Sequence, residues 1–550
     1  MIAQPDTASS RPKVVISKET TFVTEPLGPD GMVDFVAALN ASLSKGATPE
    51  NNAAVAFWKA VGTKRIDPKI RPQYLALLGL PDLPQETDSW VTFDEFLRLQ
   101  NHGEELTTEA QAEADRHFDE AWQKPWTRAE HPSVAAMLDR NAKSLELLRE
   151  GMLRPRYFSP HVADEYGTLL LLNGISESRD VAKQFAARAM LRLGEGDVDK
   201  AWQDTLVIYR YARLFGQRPF LVDRLVAITI EGMAHVSTVR YSQQANLTAA
   251  QARQFRRQLQ ELPAMPLMQD TINGERVFSL CSLWELATRQ EQSMSLKPMS
   301  LMEDQLPAEV LQDIRNDREV MKNLVITKDL DWTEAFRLTN QLFDRSVQAV
   351  GECETSFSPE AVRRFETEPG ATTRSAPAMT LAGALEAIRQ LSPQAKAQRL
   401  IKMVHGSAFG VHLPPCLLFV IRTEIQQDLA QLAFALAGYR YDRHYYPKTL
   451  GELTPDYIDA LPKDRWGIGD LKYVSDGENY LLYSVGPNGK DDGGHNRFVD
   501  WQTMDDEDSA GEEDNAADNI ADLHAMANSV REEDPTDDIA IRTGMWRLKK

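Results

Sequence analysis

The chain of 550 residues has few cysteines and no long apolar run. Cys281, Cys353 and Cys416 lie far apart without a CxxC pair, which argues against a zinc framework and a disulfide-stapled fold. Small buried thiols are the simplest interpretation. The longest apolar stretch, LPPCLLFVI around Cys416, is too short to cross a bilayer. The N-terminal MIAQPDTASSRPKVV has no apolar h-region, so we expect neither a signal peptide nor a membrane span in this chain.

Familiar catalytic signatures are also missing from the sequence. It contains no HExxH, Walker A, GxSxG or GxGxxG motif in a strand–turn–helix setting. The segment GPNGK at 486–490 has the wrong spacing for a phosphate loop. The ten histidines are dispersed and show no metal-ligand spacing. We therefore expect a protein that is not an enzyme, with no catalytic residues and no organic cofactor.

Negative charge is concentrated in one segment. The formal net charge is −20, and the stretch from Asp491 to Asp538 carries 17 acidic residues against 2 arginines. The rest of the chain is therefore only mildly acidic. Such a surface repels nucleic acid phosphates, so we expect no nucleic acid partner. Residues 495–534 are interpreted as a solvated acidic insert, with docking to a basic partner as the alternative.

Most of the chain has helical periodicity. We predict a disordered N-terminus over 1–20, because it is polar and rich in Ser, Thr and Pro. Residues 21–410 form an all-α body in this interpretation. Two antiparallel helices are predicted over 179–193 and 198–214, joined by a Gly-Glu-Gly-Asp turn in which Asp197 caps the second helix. This pair resembles a tetratricopeptide-type hairpin, although no clean repeat period is visible. Thr92 with Glu95, and Thr248, have the chemistry of helix N-caps.

Residues 411–550 are predicted to form a small α+β module, which makes the whole chain mainly α. A helix over 417–439 carries an apolar stripe along one side. The segment LKYVSDGENYLLYSVG has two β-rich runs around Asp476-Gly477, which indicates a β-hairpin with a tight turn. Trp466 is expected to pack onto the helix as a core anchor.

Several motifs of this module occur in a characteristic order. They are Tyr446-Pro447, a short helix at 450–453, Leu461-Pro462-Lys463-Asp464-Arg465-Trp466-Gly467, Ser484-Val485-Gly486-Pro487-Asn488-Gly489 and Thr536-Asp537-Asp538-Ile539. The module resembles the globular domain of type II secretion major pseudopilins, as found fused to helical domains in large uncharacterised bacterial proteins. The chain departs from that family in its helix, which is internal and carries Arg422, Glu424 and Asp428. A charged helix cannot polymerise in a membrane, so we expect no pilin-type assembly.

The resemblance implies a calcium site and a compartment. By analogy with the family, Ca²⁺ would be held in the loop after the last hairpin strand by Asp491, Asp492, Asp537 and Asp538. Carboxylate oxygens in a flexible loop suit this ion. The alternative is a solvated loop that binds nothing, because the acidic insert separates the two Asp pairs. The resemblance also implies the cell envelope or periplasm, although the chain shows no signal peptide.

The leading hypothesis is a non-enzymatic protein-interaction or envelope- and export-associated protein with a calcium-stabilised module and one or more protein partners. One alternative is an enzyme whose site is assembled from dispersed residues of the helical body, and another is a structural subunit of a larger assembly. A deep pocket with convergent His, Asp or Glu side chains would favour the enzyme. A shallow groove with exposed aromatics would favour the binding protein. The aromatic cluster Tyr441, His444, Tyr445 and Tyr446 is interpreted as core, with a partner-binding surface as the alternative.

Overall fold

The computed structural model describes most of the helical body and part of the C-terminal module. The described residues are 12–81, 90–163, 174–244, 246–289, 319–320, 322–325, 329–356, 381–408, 413–466, 469–486, 489–491, 493–494 and 539–542. The predicted acidic insert 495–534 lies outside these ranges.

The described chain is mainly helical with a small β part, as the sequence predicts. Its helices are α1 Phe35–Leu43, α2 Ala53–Val61, α3 Arg71–Leu77, α4 Phe93–Gln100, α5 Thr108–Gln123, α6 Pro132–Arg140, α7 Ala142–Gly151, α8 Ile175–Gly194, α9 Val198–Phe215, α10 Leu221–Gln244, α11 Ala249–Gln260, α12 Met268–Arg289, α13 Trp332–Ser356, α14 Leu381–Arg389, α15 Pro393–Ala408 and α16 Leu413–Arg443. Short 3₁₀ turns occur at Thr63–Arg65 and Leu450–Leu453.

The predicted hairpin in the body is formed by α8 and α9. Asp197 caps α9 by accepting a hydrogen bond from the backbone N–H of Lys200, and Gly196 adopts a φ of +83° in the connection. The small side chains Ala186, Ala189 and Ala201 are buried, which lets helices of this core approach closely. The structure therefore confirms both the cap and the hairpin, with α8 beginning four residues earlier than predicted.

Helix α16 connects two hydrophobic cores. Ala430 and Phe434 pack into the main core, which spans α2 to α11. Leu429 and Leu432 belong to a second core, shared with Phe343 of α13 and with residues of the C-terminal module. The predicted apolar stripe of this helix is thus buried on more than one side. As a result, the second core contains residues from both sides of the predicted boundary at residue 410.

The N-terminal segment differs from its prediction. Residues 12–20 were predicted to be disordered, but the backbone N–H of Val15 donates to Thr333 Oγ1 (3.2 Å) and Asn340 Nδ2 donates to the carbonyl of Lys18 (2.7 Å). Val14 and Ile16 pack against the core formed by α1, α12, α13 and α15. The prediction is wrong for this part because polar side chains of α13 satisfy backbone groups of the segment. Residues 1–11 lie outside the described ranges.

The module contains a three-stranded antiparallel sheet in the order β1 Lys472–Ser475, β2 Tyr480–Ser484 and β3 Ile539–Arg542. Lys472 pairs with Tyr483, and Ser475 pairs with Tyr480, so the predicted hairpin is present. Its turn spans four residues, in which the Asp476 carboxylate accepts from the backbone N–H groups of Glu478 (2.9 Å) and Asn479 (2.7 Å). Strand β2 is central and fully buried.

Side chains of the module face α16 as predicted. Trp466 is buried in the same core as Leu429 and Leu432, which confirms it as an anchor. Cys353 and Cys416 are buried thiols, and Cys281 is half-buried with its Sγ 4.0 Å from Glu285 Oε1. Within the described ranges, no helix is both long enough and apolar enough to cross a membrane.

Candidate functional site

One candidate surface is a shallow groove where α11, α16 and the segment after the 3₁₀ turn meet. It is lined by Ala252, Arg253, Arg256, Phe434, Ala435, Gly438 and Tyr457. Gly438 lies at this contact, where an added Cβ would be in ordinary van der Waals range of the Tyr457 ring, at 3.4 Å. The groove therefore joins a residue of the module to two cationic residues of the body.

Arg256 has unsatisfied hydrogen-bonding capacity in this groove. Its Nε and Nη1 atoms are buried, and neither has a hydrogen-bond partner among the described residues. Arg253 is exposed on the same helix. A guanidinium is a planar fork of donors that matches a carboxylate or phosphate. Leaving such donors buried and unpaired costs about 1–3 kcal/mol each, which favours the arrival of an acceptor.

The predicted aromatic cluster divides between core and surface. Tyr446 is buried, and its ring packs edge-on against Tyr480 with centroids 4.8 Å apart. Tyr441 and Tyr445 are about half exposed, at 51% and 49%. The core interpretation is therefore confirmed for Tyr446, whereas Tyr441 and Tyr445 present aromatic area to solvent. His444 occupies the left-handed region with φ of +67°, which ends α16.

The loop before Trp466 is held by one carboxylate. Asp464 is 6% exposed and accepts from Ser484 Oγ (2.7 Å), from Val485 N–H (2.9 Å) and from Trp466 N–H (3.0 Å). These bonds join the loop to the carboxyl end of β2. Since Ser484 begins the motif that leads to the acidic loop, Asp464 fixes the start of that loop.

A second set of carboxylates holds the same loop on α16. Arg465 Nε lies 2.9 Å from Asp428 Oδ2, and its Nη2 lies 3.6 Å from Glu424 Oε2. Burial raises the pKa of both carboxyls, and Arg465 opposes this rise. The charges that argue against a membrane span in this helix thus serve to attach the module.

The predicted calcium ligands are described only in part. Asp491 Oδ1 accepts from Tyr483 Oη (2.8 Å) and from the backbone N–H of Gly493 (3.1 Å), and Oδ2 lies 3.6 Å from Lys472 Nζ. Asp492, Asp537 and Asp538 lie outside the described residues. The sheet nevertheless brings together the strands on either side of the acidic loop, because Ser484 pairs with Ile539, the residue that follows Asp538 in the sequence.

The body contains a buried chain of titratable groups that sequence reasoning missed. Tyr209 Oη lies 3.0 Å from His235 Nδ1, His235 Nε2 lies 3.6 Å from Glu231 Oε1, and this oxygen lies 2.5 Å from Arg213 Nη1. Burial disfavours the Glu231 carboxylate, but Arg213 and His235 together hold its pKa below the usual range. All four side chains are almost fully buried, and they contact one another through one hydrogen bond and two ion pairs.

Two histidines come together despite the dispersed pattern in the sequence. His117 Nδ1 lies 3.0 Å from His131 Nδ1, and Glu120 is close to both. The sequence prediction concerned the spacing of the histidines along the chain, and the structure adds that two distant histidines lie side by side. A separation of fourteen residues across two helices leaves no local spacing signal, so only the packing of α5 beside α6 could reveal it.

Comparisons with protein-family models, with curated proteins and with solved structures gave no match.

Proposed function

We propose that the chain is a non-enzymatic interaction protein associated with the cell envelope or an export assembly, in which the helical body and a pseudopilin-like module share one binding surface. The observation that carries this proposal is the pair of unpartnered guanidinium nitrogens of Arg256 in the groove between body and module. The groove is too narrow to enclose a small molecule, which favours contact with a peptide or protein surface.

The lining of the groove indicates the chemistry of the partner. Arg253 and Arg256 attract a carboxylate, and the buried rings of Phe434 and Tyr457 form the wall beside them. Exposed Tyr441 and Tyr445 lie near the end of the same helix, α16. Tyrosine and arginine are over-represented in protein interfaces and carry much of their binding energy. An acidic segment with an apolar residue is the partner that fits these features.

The buried network of the body supports a binding protein over an enzyme. Tyr209, His235, Glu231 and Arg213 are the type of residues that perform acid–base chemistry. They form ion pairs and one hydrogen bond with one another inside the core, and none of them lines the groove. Their arrangement supports a role in rigidity, which keeps α9 and α10 fixed beneath α16.

Pseudopilin-type kinship and calcium binding are part of the same proposal. The long helix α16, the 3₁₀ turn at Leu450–Leu453 and the three-stranded sheet follow in the order that the resemblance implies. The pairing of Ser484 with Ile539 supports a shared site, since Ser484 ends β2 and Ile539 directly follows Asp538 in the sequence. In this proposal Asp491, Asp492, Asp537 and Asp538 supply oxygen ligands to Ca²⁺.

Calcium binding is tested by thermal unfolding in Ca²⁺ and in EGTA, together with calorimetric titration. We expect the ion to raise the unfolding temperature, because binding to the folded state alone stabilises it. The double variant Asp537→Asn/Asp538→Asn should lose this rise. Asp459→Asn, an exposed position in the same module, should retain it. Identical unfolding in Ca²⁺ and EGTA would remove calcium from the proposal.

The binding role is tested by affinity purification from the native organism with mass spectrometry, using a matched charge reversal. Arg253→Glu changes the groove, whereas Arg257→Glu makes the same change one turn along α11, where the side chain is 69% exposed and pairs with Glu261 (3.9 Å). We expect one protein to be recovered with the wild type and with Arg257→Glu but not with Arg253→Glu. Recovery of chaperones alone, or equal recovery with all three proteins, would contradict the proposal.

A further inference from the structure

The histidine cluster is formed by His117, Glu120 and His131. His117 and Glu120 lie three residues apart on α5, so their side chains share one face of that helix. His131 is the residue before Pro132, the first residue of α6. One ligand atom from each of the three lies within 4.8 Å of the others. The cluster thus bridges two consecutive helices and is exposed enough for an ion to enter.

The distance between the two imidazoles is compatible with a shared cation. The Nδ1 atoms are 3.0 Å apart, and the rings are inclined by 65°. Two ring nitrogens this close either share a proton or bind the same ion. Metal–nitrogen bonds of about 2.0–2.1 Å set neighbouring ligand nitrogens roughly 3.0–3.4 Å apart in octahedral and tetrahedral sites. An ion can therefore bind with little movement of either ring.

His131 is positioned before any ion arrives. Pro132 restricts the backbone of the residue that precedes it. The imidazole also packs edge-on against Trp126, with ring centroids 5.4 Å apart. Trp126 is itself fixed, because it is buried and its Nε1 donates to the carbonyl of Ala187 (3.1 Å). Pre-positioned ligands lower the conformational cost of binding.

The second imidazole has a carboxylate on its outer side. His117 Nε2 lies 3.9 Å from Glu113 Oε1, one helical turn earlier on α5. Metal-binding histidines commonly turn their other nitrogen toward such a carboxylate, which fixes the tautomer. With Nδ1 on the ion, the Nε2–H of His117 faces Glu113. At 3.9 Å the two groups attract one another without a hydrogen bond.

Neighbouring carboxylates are engaged elsewhere, which singles out Glu120. Asp119 accepts from Trp122 Nε1 (2.9 Å), and Glu130 accepts from the backbone N–H of Thr127 (2.6 Å). The side chain of Glu120 makes no hydrogen bond or ion pair with the part of the chain that the structure describes. It is the carboxylate free to turn toward the two rings.

We propose that His117, Glu120 and His131 bind a divalent transition cation of the Zn²⁺ type. Two imidazoles and one carboxylate suit zinc, nickel, cobalt or copper, whereas Ca²⁺ prefers oxygen ligands. Three protein ligands leave a coordination position open to water or to a donor from another molecule. The bound ion connects α5 to the start of α6. This site is independent of the groove and of the predicted calcium loop.

The test combines Zn²⁺ calorimetry with the electron paramagnetic resonance spectrum of bound Cu²⁺. Both are measured in millimolar Ca²⁺, so that Ca²⁺ competes for the carboxylates of the acidic segment. The wild type should bind one tight equivalent, and the copper spectrum should show nitrogen hyperfine coupling from imidazole. His117→Ala should weaken Zn²⁺ binding at least about tenfold, and His131→Ala should do the same. The control His102→Asn changes another exposed histidine, in a left-handed position that asparagine tolerates, and should leave affinity unchanged.

Thermal unfolding without metal distinguishes a variant that has lost a metal ligand from a variant that has lost its fold. His117 is half exposed, so His117→Ala should unfold at the wild-type temperature in EDTA. A rise in unfolding temperature with Zn²⁺ should occur for the wild type and His102→Asn only. Equal Zn²⁺ affinity in the wild type and His117→Ala would overturn the proposal. A copper spectrum with oxygen ligands alone would overturn it as well.

Discussion

Replacing Asp464 by alanine should lower the local stability at the carboxyl end of β2 and leave the helical body unchanged. The carboxylate accepts three hydrogen bonds while 6% exposed, two of them from Ser484 and Val485. Alanine leaves the Val485 N–H, the Trp466 N–H and the Ser484 hydroxyl buried without this acceptor. The loop that carries Trp466 also loses its attachment to the sheet.

The magnitude follows from those three orphaned donors, each counted at the low end of its cost. An unsatisfied buried donor costs about 1–3 kcal/mol, so the variant should lose roughly 3 kcal/mol of local stability. Since 1.4 kcal/mol corresponds to a factor of ten in an equilibrium constant, amide exchange in β2 should accelerate about 100-fold. Asp464→Asn keeps one oxygen but turns an NH₂ group toward a donor, so an intermediate effect is expected.

Hydrogen exchange with mass spectrometry measures this change region by region. Peptides that cover 480–486 should exchange faster in the variant, whereas peptides of α8 and α9 should be unchanged. The control Asp459→Ala removes an exposed carboxylate of the same module and should alter neither region. If Asp464→Ala exchanges like the wild type over 480–486, these hydrogen bonds do not hold the loop on the sheet.

Three further predictions concern the body. Gly274→Ala should lower the free energy of unfolding by several kcal/mol in a denaturant titration, because a Cβ there would lie 2.0 Å from the Pro219 carbonyl oxygen. The control Gly232→Ala, which has open space around it, should leave the free energy of unfolding unchanged or raise it. Burial raises the pKa of Glu275 to about 7, so the stability of the fold decreases as the pH rises from about 4.5 through 7. Glu275→Gln should therefore unfold at a higher temperature than the wild type at pH 8 but not at pH 4.5. Burial lowers the pKa of His161 to about 3, so the fold loses stability as the pH falls below about 6.5, by roughly 2 kcal/mol at pH 5. His161→Phe should lose less stability than the wild type between pH 6.5 and pH 5. If Gly274→Ala unfolds like Gly232→Ala, the steric argument is wrong. If a variant at 275 or 161 has the same pH dependence of stability as the wild type, the pKa argument for that residue is wrong.

Local chemistry was sufficient to predict several features of the fold. Thr92 with Glu95, and Thr248 with Gln251, form complete capping boxes, because these signals depend on residues three apart in the chain. The hairpin at 472–484 was likewise visible from its alternating residues and its Asp-Gly turn. Such features depend on neighbours in sequence, which a single chain displays directly.

Features that depend on tertiary packing could not be predicted in the same way. The pairing of His117 with His131 needs α5 and α6 to meet at their ends, and the unpartnered Arg256 needs α16 laid across α11. The N-terminal segment is polar by composition, but Thr333 and Asn340 provide its hydrogen bonds from more than 300 residues away. No periodicity or propensity encodes contacts between such distant positions.

The binding role of the groove is tested most directly by the dissociation constant of the purified partner. We expect Arg253→Glu to weaken binding at least about tenfold, since reversal of an interface charge loses an attraction and adds a repulsion. Arg257→Glu should change the affinity less than about twofold, because its exposed side chain lies outside the groove. Equal affinity of the wild type and Arg253→Glu would contradict the proposal that this protein binds its partner through the groove between body and module.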